Sequence, residues 1–189
     1  MHSIINRLLD LPQDKFYIGL FIIAHVVAMA TATLLSFITG DHKEDKKEDD
    51  TEVEEALNMS LRETLVKFLE TCILTAYIET ILIQWAIFRM VALVLRGSLD
   101  ANIVAFFLST IVFAGLHIIG KKWYYIFIHL PSSISLALVF MLNDINQGRP
   151  ILYTFIFHSI WNTIAVIGIP FIVRISLFFK ERISLVKSK

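Results

Sequence analysis

The chain has 189 residues, of which 56% are hydrophobic and 12% aromatic, and its 17 Lys+Arg balance its 17 Asp+Glu. So apolar a composition excludes an ordinary soluble domain, where roughly half the residues are apolar, and the balanced charge offers nothing to nucleic acid. The single cysteine, Cys72, excludes an internal disulfide framework and reads as a buried, inert thiol.

Five stretches, near 16–39, 68–95, 102–120, 123–143 and 151–170, approach or exceed the ~20 apolar residues that cross ~30 Å of hydrocarbon. The expected fold is therefore all-α, a polytopic membrane protein with about five transmembrane helices. Residues 1–40 read as an N-terminal tail and first anchor, uncleaved. The run DHKEDKKEDDTEVEE opens a charged linker, 41–65, that can bury nothing and ends in a short amphipathic helix with Val53, Leu57, Leu61 and Leu65 four residues apart. Residues 66–170 hold the remaining spans, with Pro131 interrupting the fourth and Pro170 ending the fifth. The tail 171–189 alternates apolar groups with Arg174, Lys180, Arg182, Lys187 and Lys189, as an interfacial helix does. Lys and Arg concentrate on the side of the linker and the tail, so the positive-inside rule places both in the cytoplasm.

Polar side chains inside these runs carry the functional argument, because hydrocarbon accepts them only when something polar meets them. Gln84, Arg89, His117, His158 and Asn162 stand out. His158 and Asn162 are four residues apart and share a helix face, as do Phe113 and His117. Arg89 cannot shed its charge, so it needs a partner: Gln84, backbone carbonyls, or a snorkelling route towards the loop at Arg96. Taken singly, each group could simply join one helix to another. Taken together, on three spans, they suggest one cavity.

The ordered set resembles the CPBP family, the CAAX proteases and bacteriocin-processing enzymes also called Abi proteins. Its three signatures are EExxxR, FxxxH and HxxxN on successive transmembrane helices. Here they read Gln84-Trp85-Ala-Ile-Phe-Arg89, Phe113-Ala-Gly-Leu-His117 and His158-Ser-Ile-Trp-Asn162, over roughly residues 66–167. The resemblance implies a CPBP-like bundle and an intramembrane endopeptidase acting on a membrane-associated peptide or protein. It gives His117 a water-activating role, His158 and Asn162 the stabilisation of the oxyanion, and Arg89 the bracing of the first motif. No cofactor is implied; zinc at His117 and His158 is a minor alternative, for no HExxH and no third strong ligand is evident.

Both motif glutamates are missing. Gln84 keeps the shape of glutamate without its basicity, and Trp85 replaces the second carboxylate. On a regular helix Glu79 lies about 140° from Gln84 and Glu70 about 21 Å along the axis, so neither carboxylate is expected to substitute. Activity is then reduced or lost, and the alternative is an inactive membrane binding, immunity or scaffold protein using the same pocket. Depth adds a condition. If the third span ends at Gly120, His117 and His158 lie at different levels, so the site requires that helix to continue past Lys121 and Lys122 and turn nearer Pro131.

Overall fold

A computed structural model describes residues 8, 12–39, 59–96 and 99–168. The charged linker up to residue 58, Pro170 and the tail 171–189 lie outside them. All the regular structure among the described residues is helical: α1 (Gln13–Thr39), α2 (Leu61–Lys67), a π-helical stretch at Phe68–Thr75, α3 (Ala76–Glu79), a second π-helical stretch at Thr80–Trp85, α4 (Ala86–Val94), α5 (Leu99–Leu116), a 3-10 turn at Trp123–Tyr125, α6 (Ile126–Ile145), α7 (Pro150–Thr163) and a π-helical end at Ile164–Gly168. Among the described residues four helical runs are long and apolar enough to cross a membrane: Lys15–Thr39, Leu61–Val94, Trp123–Ile145 and Pro150–Gly168. The expected third span appears as a shorter apolar helix, Asp100–Leu116. The chain divides into two compact units, Met1–Gly40 with Tyr77–His158, and Asp41–Ala76 with Ser159–Lys189.

In the first unit α6 is central and packs against α1 and α5. Half of its apolar window is buried, against 6% for α1. Lipid is as apolar as leucine, so close packing rather than water exclusion must hold such helices together, and small side chains permit it. Ala101, Ala105 and Ser109 recur every fourth residue along α5, and Ser133 and Ala137 do so on α6; all are buried. Phe88 and Phe140 fill the space beside them with rings 4.7 Å apart, in a core shared with Val91, Met141 and Leu142. The ridge of α5 continues through Phe113 to His117, so tight packing and placement of the histidine share one row.

Helix ends follow local chemistry. After α6, Gln147 adopts a left-handed φ of 53°, Gly148 N–H donates to the Asn143 carbonyl and Gln147 N–H to that of Asp144. This closes a Schellman motif. Pro150 then occupies the first position of α7, where its missing N–H costs nothing. Asn143 also donates to the Tyr17 hydroxyl at 2.6 Å and the Val139 carbonyl at 2.8 Å, fastening α1 to α6.

The third span does not continue past Lys121. Helix α5 ends at Leu116, and short turns over 117–122, with Gly120 at φ 79°, reverse the chain. Pro131 lies inside α6, and the hydroxyls of Ser132 and Ser133 both donate to the His129 carbonyl in the turn around it. In the second unit Ser60 caps α2 in a reciprocal capping box with Glu63.

Candidate functional site

His117 lies one residue beyond α5. Its ring stacks on Phe113, with centroids 4.3 Å apart, and its Nδ1 donates to the Phe113 carbonyl at 2.8 Å. A carbonyl can only accept, so in the neutral ring the proton sits on Nδ1 and Nε2 carries a free lone pair. The spacing of the FxxxH signature is what sets this tautomer, because the fourth residue back supplies both the stacking ring and the carbonyl.

His158 is almost fully buried on α7. Its Nε2 is 3.3 Å from Oε2 of Glu79, and its ring meets the other side of Phe113 edge-on at 5.4 Å. Its Nδ1 has no hydrogen-bond partner among the described residues. His117 is within electrostatic range of both Glu79 and His158. His129, from the first turn of α6, completes the group with its ring 5.0 Å from that of His117.

The depth condition is therefore unnecessary. At 1.5 Å per residue His117 lies about 27 Å from the start of α5 and His158 about 12 Å from the start of α7. Phe113 touches both rings although α5 stops at Leu116, so the two histidines share a neighbour without the longer helix that the depth condition requires.

Glu79 reaches the histidine, although on a regular helix it would lie about 140° from Gln84. It sits immediately before the π-helical Thr80–Trp85, closed by an Ala86 N–H that bonds the Ile81 carbonyl. Five residues per hydrogen-bonded turn, rather than four, bring residues five apart much closer to one face. The helix is locally widened, and Glu79, a carboxylate not expected beside the motif residues, faces His158. Gln84 is fully buried four residues before Phe88, and neither of its amide atoms finds a partner among the described residues. Trp85 is partly exposed, on the wall of a groove beside Arg89.

Arg89 is met by a carboxylate, not by Gln84 or the loop at Arg96. Its Nη2 donates to Oδ1 of Asp144 at 2.9 Å, tying α4 to the last turn of α6. Asp144 lies 55 residues further along the chain, so no local pattern announces the pairing.

Asn162 belongs to the second unit, where Nδ2 donates to the Thr71 carbonyl at 3.0 Å. Thr163 donates to the Ser159 carbonyl at 2.7 Å in the same unit, and Cys72 is buried there. The first unit therefore links Glu79, His158, Phe113, His117 and His129 in a chain of contacts, a set in which Glu79 and His129 are additions to the sequence reading. His129 could have been noticed as a histidine in an apolar run; Glu79 required knowledge of the π turn.

No group of three or more His, Cys, Asp or Glu side chains among the described residues is arranged to hold a metal ion. The arrangement does offer a carboxylate beside a buried imidazole, and a second, half-buried imidazole of fixed tautomer. Such groups can orient a water molecule and accept its proton. Compared with known proteins, the chain matches no family model, no curated protein and no solved structure.

Proposed function

We propose that this chain is an intramembrane endopeptidase of the CPBP type in which Glu79 supplies the carboxylate missing from motif positions Gln84 and Trp85. The contact between the buried His158 and the half-buried Glu79, at 3.3 Å, carries the reading. Glu79 and His117 take the proton from the attacking water, and His158, donating its Nε2–H to Glu79, holds that carboxylate ionised and in place. Arg89, held by Asp144, fixes α4 and with it the register of the π turn. The shorter α5 crosses as a fifth span, and the charged linker and C-terminal tail face the cytoplasm. The substrate is a membrane-associated peptide or protein segment.

A second reading, a pocket that binds such a segment without cutting it, is favoured by one observation: Gln84 holds a buried, unpartnered amide where a glutamate would be needed by the family motif. New protein N-termini in membranes from cells expressing the native chain, Glu79→Gln and His158→Ala distinguish the two. Peptidase action gives products in the native sample that fall about 100-fold or more in both variants, the usual scale for losing a general base. Absence of products from the native sample leaves the binding reading.

A further inference from the structure

A groove of about 500 Å³ opens on the first unit, and none of Glu79, His117, His129 and His158 lines it. Tyr77 and Phe155 pack edge-on at 5.6 Å in its wall, Trp85 and Leu152 extend the apolar lining, and Arg89 and Arg149 border it. Asp144 engages Nη2 of Arg89, which remains half exposed, while Arg149 is exposed without an acidic partner among the described residues. Arg149 stands between the end of α6 and the start of α7, Arg89 of α4 is tied to the same end of α6 through Asp144, and the aromatic rings line the groove with them. That is the composition of a membrane interface.

We propose that this groove seats an anionic phospholipid, its phosphodiester on Arg149 and the free donors of Arg89, its upper acyl chain along Trp85, Leu152 and Phe155. A guanidinium offers paired N–H donors that match two phosphate oxygens, and basic pockets between transmembrane helices hold anionic headgroups in this way. An apolar lining continuous with the cationic edge demands an amphiphile; a free anion would leave it uncovered. The site stands independently of peptidase action.

The test is native mass spectrometry of the full chain in detergent, offered phosphatidylglycerol or phosphatidylcholine with identical chains. The native protein retains the anionic lipid preferentially. Arg149→Gln lowers that preference about fivefold, the effect expected of one basic side chain, with thermal unfolding in detergent alone unchanged. Leu152→Glu, which places a carboxylate in the groove, reduces retention further. Equal retention of both lipids by the native chain, or an unchanged preference in Arg149→Gln, overturns the proposal. So does displacement of the lipid by millimolar glycerol phosphate, which would mark a site for soluble anions.

Discussion

Two helical regions deliver the histidine cluster its parts by opposite means. Helix α5 is regular, and a row of residues four apart, Ala101, Ala105, Ser109 and Phe113, packs tightly and points on to His117. The run from Ala76 to Val94 is interrupted by π-helical geometry at Thr80–Trp85, and Glu79, immediately before the interruption, meets His158. A regular helix places side chains by periodicity; a widened turn places them by departing from it. Such departures gather at functional sites because they cost backbone stability that only a side-chain role recovers.

Removing the departure should have the largest effect. Deleting Leu82, an exposed residue within the π stretch, lets the helix close as a regular one and turns Glu79 away from His158. Proteolytic products should fall about 100-fold while helix content by circular dichroism stays near native; undiminished products would show that the π turn has no part in placing the carboxylate.

On the regular side, Ala105→Leu should act through packing. Ala105 is buried where α5 approaches its neighbours, and extra methyl groups there cost about 1–3 kcal/mol. Reversible unfolding in mixed micelles measures it. A stability equal to native would mean that the small-residue row is not a close contact.

The smallest effect belongs to the brace that ties the irregular run to α6. A double-mutant cycle on Arg89→Ala and Asp144→Ala should give a coupling below about 1 kcal/mol, because Arg89 is 48% exposed and solvent or headgroups screen the pair. Coupling of several kcal/mol would instead mark a pair sealed from water.

This contrast also explains what could be read in advance. Helical class, the apolar runs and the Phe113–His117 stacking follow from periodicity and composition, which are local properties. Cys72 is buried as its apolar neighbours imply. The partner of Arg89 was illegible because Asp144 comes from a distant helix end, and the Glu79 contact because residue count alone assumes 100° per residue. His129 went unnoticed since it belongs to no spaced motif. Asn162, conspicuous beside His158 in the sequence, spends its Nδ2 on the Thr71 carbonyl.

The central claim is that the working carboxylate stands at position 79. Its most direct test compares products from Glu79→Gln with those from Glu79→Gln/Gln84→Glu, each checked for native folding in detergent. The account predicts that Glu79→Gln abolishes cleavage and that a carboxylate at position 84 does not restore it. Full cleavage by Glu79→Gln, or its recovery in the double variant, would contradict the account.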